Sequence, residues 1–145
     1  YFDGTTGLEF NMQAGVTKMT PEKIAAKRKS TGLIPEMNFK TSGMAYSIEG
    51  IEMVDEKPCY VLKTDDGEAV SYDYFDKSTF MTIKTISIRT EGEETSETVI
   101  LMSDYKEYNG ILFPDTMNIT MGQMALSGKV KSRTINAKVN PEDYK

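Results

Sequence analysis

The side chains best able to do chemistry in this chain are its carboxylates, and three groups of them stand close together in sequence. Asp65, Asp66 and Glu68 surround a glycine in DDGE, Glu91, Glu93 and Glu94 sit in EGEETSE, and Asp73 and Asp76 stand three apart in YDYFD. Glycoside hydrolysis requires two carboxylates facing each other across a cleft. Carboxylates clustered among Gly, Ser and Thr at predicted loop tips are read instead as solvated turns. A lone D-x-x-D offers too few oxygens for calcium, which takes about six to eight, so neither a metal nor a cofactor is expected. The chain has no histidine. That removes Ser–His and Cys–His nucleophile pairs and His-ligated zinc. An enzyme would have to work with carboxylates, Lys or Tyr alone, and no pair of these stands out. The single cysteine, Cys59, lies in the strand-like PCYVL and is read as a small buried hydrophobe with no partner for an internal disulfide. No catalytic residue is assigned.

A repeated motif, YFDGTTG at 1–7 and YFDKSTF at 74–80, is the other candidate for a signature. Tyr and Phe favour strands, Asp accepts backbone N–H bonds at turns, and Thr leads back into a strand. The motif therefore reads as a strand-turn-strand joint used twice.

The residue type most open to a binding role is methionine, present ten times. Met44, Tyr46, Ile48, Met81, Ile83, Met102, Met117, Ile119 and Met121 are expected to line one or both faces of a sheet. They are read either as plain core or as a soft concavity for a hydrophobic ligand, which Met suits because it adapts to irregular shapes.

The elements that must position these residues are mostly strands. Apolar residues recur at every second position between turn signals, the pattern of antiparallel β structure. One helix is expected near the start. Thr20 is its N-cap, Pro21 its first residue, Glu22 sits near its positive end, Met19 and Ile24 have the spacing of a hydrophobic staple, and Gly32 ends it. Its thin apolar face, Ile24 with Ala25 and Ala26, should lie on the sheet. Asp65-Asp66-Gly67 and Asn109-Gly110 mark hairpins, and DEKP at 55–58 turns the chain. The alternation slips at Gly50 and again between Ile83 and Ile86, where β-bulges that bend the strands are expected. Repeated slips imply a strongly curved sheet. The predicted fold is thus mainly β (α+β): a curved antiparallel half-barrel with one helix on its concave side.

Composition agrees with one domain over 1–145: 145 residues, 39% hydrophobic and 27% charged, with no linker or low-complexity tract. No apolar run is long enough for a transmembrane helix. A net charge of −5 argues against general nucleic-acid binding, and the basic run Lys27-Arg28-Lys29 is read as a solvated helix face.

Three segments then combine into a resemblance. GIEMVDEKPCYVLKTDDGEAVSYDYFDKSTF is similar to a G-I-E-x-V-x-G-K-x-x-Y-x-[VL] strand pair followed by Y-Y-x-D-x-x-T-G-L. SDYKEYNGILFPDTMNI resembles S-D-Y-x-E-V-[DN]-G-I-x-F-P, and INAKVNPEDYK resembles a closing I-x-V-N-x-x-[ID]-D-x-x-F-K. In order and spacing these resemble the outer-membrane lipoprotein carrier and receptor superfamily (LolA/LolB-like), in the form attached to insulinase-type zinc peptidases of Gram-negative envelopes. The resemblance implies an unclosed barrel wrapped over helices, a hydrophobic interior for a lipid or acyl chain, and a periplasmic or outer-membrane location. It also implies a possible partner in an envelope protein or the rest of a longer chain, with Tyr1-Phe2 as the end of a truncated strand. The departures are DEKP in place of an Asn/Asp-Gly-Lys turn, Phe80 at a usual Gly and Tyr144 at a usual Phe. A peptidase H-x-x-E-H motif is impossible without His.

Overall fold

A computed structural model describes residues 1–11, 15–30, 43–67 and 69–135. The chain divides into two compact units, Tyr1–Gly43 with Lys138–Lys145, and Met44–Ala137.

In the first unit, β1 (Leu8–Asn11) pairs antiparallel with β2 (Gly15–Lys18), and helix α1 (Pro21–Ser30) follows. The helix starts where the sequence predicts. The Lys23 N–H donates to Thr20 Oγ1 at 3.3 Å, and the Ile24 N–H makes the first helical bond to the Thr20 carbonyl at 2.9 Å. An ion pair of 2.8 Å between Lys23 and Glu9 ties helix to hairpin, and Arg28 donates to the Gly4 carbonyl. A Cβ at Gly7 would sit 2.4 Å from Met19 Sδ, so a larger residue there would push the Met19 side chain aside. The predicted helix end at Gly32 lies outside the described residues.

The second unit is a seven-stranded antiparallel meander. Its strands are β3 (Ala45–Val54), β4 (Lys57–Asp65), β5 (Ala69–Asp76), β6 (Thr82–Glu91), β7 (Glu94–Tyr108), β8 (Ile111–Met121) and β9 (Met124–Lys129), paired in chain order. The sheet is open, with β3 and β9 as its outer strands among the described residues. The slips predicted at Gly50 and between Ile83 and Ile86 are register shifts. One falls between Ile48 and Gly50 against β4, the other where Tyr74 and Phe75 meet β6. Their effect is to keep apolar residues on one face. Ile51 continues the face of Ile48, and Ile83 packs against the same cluster as Ile86 instead of pointing away from it.

Two hairpins use two-residue turns with both central residues left-handed, the form that matches strand twist. Asn109-Gly110 (φ 52° and 82°) joins β7 to β8, and Asp55-Glu56 (φ 45° and 64°) joins β3 to β4. Phe80 is also left-handed, at φ 59°. Glu56 and Phe80 thus hold side chains in a backbone region that favours glycine.

Register partners share a face of a sheet. Val54, Cys59, Val61 and Tyr74 form the buried core, with Tyr72, Ile83 and Ile86 packed on it, all on one face. Val61 is only 1% exposed. Burial pushes the Cys59 thiol above its ordinary range, as expected for a core residue.

Candidate ligand-binding cavity

The face that carries the core also carries a cavity of ≈ 380 Å³. Its apolar wall comes from Val54, Met81, Ile83, Leu101 and Tyr105, with Met102 also at its border. Val54 is on β3 and Leu101 on β7, four strands apart in the sheet. In a flat sheet four spacings are about 19 Å, too far for both to border one small cavity. The sheet therefore curls towards this face, and the two bulges supply the bend.

The turn and strand ends around the wall add polar groups. Asp55, Asp76 and Asp104 border the cavity together with Lys57, Ser103 and Asn118. Each of two carboxylates has a local partner. Asp76 Oδ1 accepts the Ser78 and Thr79 N–H groups at 2.8 and 3.1 Å, and Asp104 accepts the Thr116 hydroxyl at 2.7 Å. The Ser78 hydroxyl and these amides hold the Asp76 carboxyl below its usual range. The Tyr105 hydroxyl donates to the Thr82 carbonyl. An apolar wall with a polar, mostly anionic rim can hold an amphiphile. It offers no base–nucleophile pair among the described residues.

Of the nine residues proposed from the sequence, Met81, Ile83 and Met102 border the cavity. Tyr46, Ile48, Met117, Ile119 and Met121 lie on the opposite face by register, and so does Met102, the ladder partner of Met117, although it borders the cavity; Met121 pairs with Met124. Met44 precedes β3 and is half-buried. Val54, Leu101 and Tyr105 were missed. Leu101 and Met102 are adjacent, so hydrophobicity alone does not say which points inward. The buried run Cys59, Val61 with Tyr74 is the signal that would have chosen the other parity.

The opposite face carries apolar residues in the open: Ile48 is 67% exposed, Met53 63% and Phe80 66%, with Phe80 stacked on Tyr60 at 6.3 Å between ring centres. It also holds a buried charge. Asp115, 1% exposed, pairs with Lys106 Nζ at 2.7 Å and accepts the Tyr108 hydroxyl at 2.7 Å. Arg133 lies over the Phe113 and Tyr108 rings at 4.3 and 5.4 Å and donates to the Pro114 carbonyl. These contacts clasp the segment after β9 to β8, a structural use of charge.

Asp65 and Asp66 serve the turn between β4 and β5. Asp65 accepts the Gly67 N–H and Asp66 the Ala69 N–H, at 2.9 and 2.7 Å. Asp73 accepts the Thr85 hydroxyl on the face opposite Asp76, so the two cannot hold one ion together. Glu68 lies outside the described residues. In the repeated YFD motif, Asp3 receives the Thr5 and Thr6 N–H groups just as Asp76 receives those of Ser78 and Thr79, and these bonds lower its carboxyl to about 2. Both copies are strand-ending turns.

No family model matches this chain, and no curated protein does. Among solved structures it is similar to the crystal structure of a domain, provisionally described as an outer membrane lipoprotein-sorting protein, from Vibrio parahaemolyticus. The TM-score is 0.61 at 14% identity, and the match covers 96% of this chain and 63% of that one. The fold is LolA-like. The likeness is one of architecture, an open antiparallel sheet with a short helix, and this chain spans less than two thirds of the other's length. What the LolA-like sheet presents on its curled face is then a matter of this chain's own residues. Among the described residues, no helix is long and apolar enough to cross a membrane.

Proposed function

We propose that this chain is a non-enzymatic binding domain for a lipid, an acyl chain or a lipoprotein-like hydrophobic ligand, acting in the periplasm or at the outer membrane. The observation that carries this reading is the ≈ 380 Å³ cavity on the curled face, walled by Val54, Ile83, Leu101 and Tyr105. Its size falls in the range of about 300–1,000 Å³ typical of small-ligand sites, and it joins an apolar wall to a polar rim. The LolA-like fold supports the location and the ligand class. Met81 would adapt the wall to a flexible chain.

The test is denaturing extraction of the purified protein with mass spectrometry, and titration with a fluorescent acyl probe. Copurifying lipid or saturable probe binding is expected, and Leu101→Trp should abolish it by filling the cavity. Absence of both lipid and probe binding would overturn the reading.

A second reading, an accessory domain that docks an envelope protein such as a zinc-peptidase-like partner, is favoured by the exposed apolar residues Ile48, Met53 and Phe80. Nothing on this surface speaks for a peptidase in particular. Capture of a partner by the wild type but not by Ile48→Ser/Phe80→Ser would support it, whereas equal capture by both would remove it.

A further inference from the structure

The rim of the cavity carries a charge preference that its apolar wall alone would not predict. Three carboxylates, Asp55, Asp76 and Asp104, border it against one ammonium, Lys57, among the described residues. Asp76 is held ionised by its Ser78 and Thr79 hydrogen bonds. Tyr105 spends its hydroxyl proton on the Thr82 carbonyl. Ser103 and Asn118 are neutral. The chain as a whole is acidic, at −5, so the wider field has the same sign.

We infer that this cavity selects single-chain amphiphiles with a cationic head over those with a carboxylate or phosphate head, the chain lying against Val54, Ile83 and Leu101 and the head among Asp55, Asp76 and Asp104. The inference rests on the hydrophobe-binding reading and narrows its ligand class. A fatty-acid carboxylate would place a fourth negative charge among three, in a concave site where the surrounding protein strengthens the repulsion. An ammonium would meet acceptors that already lie at the rim. Two of the three carboxylates can be neutralised without disturbing the fold. Asp55 and Asp104 have φ of 45° and 53°, a region that Asn tolerates as well as Asp. Asp76 is left untouched because it holds its turn.

The experiment is isothermal titration of the chain with dodecylammonium and with dodecanoate, below their micelle-forming concentrations and at neutral pH and low salt. The ammonium should bind about tenfold more tightly, and raising the salt from about 0.05 M to about 0.5 M should shrink the gap. The double variant Asp55→Asn/Asp104→Asn should bring the ratio close to one, and Lys57→Gln should widen it. Dodecanoate binding as tightly as dodecylammonium would overturn the inference and leave the hydrophobe-binding reading standing. A preference that survives the double variant unchanged would also overturn it, since the selecting charge would lie elsewhere. Failure of both ligands to bind, or binding unaffected by Leu101→Trp, would overturn the inference and the reading of the cavity together.

Discussion

The two left-handed hairpins make opposite predictions at equivalent positions. In the β3–β4 turn the second residue is Glu56, at φ 64°, and in the β7–β8 turn it is Gly110, at φ 82°. Holding an L-residue in the left-handed region costs roughly 1–2 kcal/mol, whereas glycine escapes that cost but gives up about 0.4–1 kcal/mol of unfolded-chain entropy. Glu56 is exposed and its side chain is not in the core, so Glu56→Gly should gain the difference, about 0.5–1 kcal/mol. For a domain of this size that is a rise of roughly 2–4 °C in Tm. Gly110→Ala should lose about as much, because open space surrounds the added Cβ and only the backbone objects. Thermal unfolding by circular dichroism and urea titration would read both, with the urea m value unchanged. A fall in Tm for Glu56→Gly, or shifts of the same sign for the two variants, would refute the argument that these turns are limited by backbone strain.

Three further outcomes are expected. Val61→Ala removes two methyl groups from a position 1% exposed and should cost about 2–3 kcal/mol by loss of burial plus the cavity left behind; a midpoint shift in urea of under half that size would mean the core relaxes around it. The Lys106 ammonium, and next the Tyr108 hydroxyl, hold the Asp115 carboxyl below the ordinary carboxylate range. Its stabilising effect is then fully present above a pH of about 4 and is lost as pH falls through the lower folded value. Asp115→Asn should accordingly be less stable than wild type at neutral pH, with the gap in urea midpoint closing below that pH; a gap that stays constant into strong acid would contradict the assignment. Cys59, buried and with a raised thiol pKa, should react with a thiol reagent on the order of a hundredfold more slowly in the native protein than in urea, and equal rates would show that β4 is not a stable centre of the sheet.

Much of the local structure was legible because it depends on neighbours in the chain. Thr20 caps a helix through an amide three residues on, Asn109-Gly110 closes a hairpin through its own backbone, and each YFD aspartate takes amides two and three residues ahead. The bulges at Gly50 and Ile83 were visible as slips in alternation. At Ile83 the bulge keeps the side chain with the cluster that Ile86 joins, which alternation alone does not show. The cavity was only partly legible. Met81, Ile83 and Met102 were singled out, while Val54, Leu101 and Tyr105 were not, because consecutive apolar residues in β7 leave the inward parity undecided.

By itself the sequence determined the meander, its turns and the exclusion of His-dependent chemistry, all properties that residue types and short spacings suffice to set. Which face curls inward was decided by the tertiary structure, because curvature sums small bends over five strands and brings Val54 and Leu101 to one cavity. The same holds for the charge at its rim. Asp55, Asp76 and Asp104 are about 20 to 50 residues apart in sequence and meet only when the sheet is formed and bent.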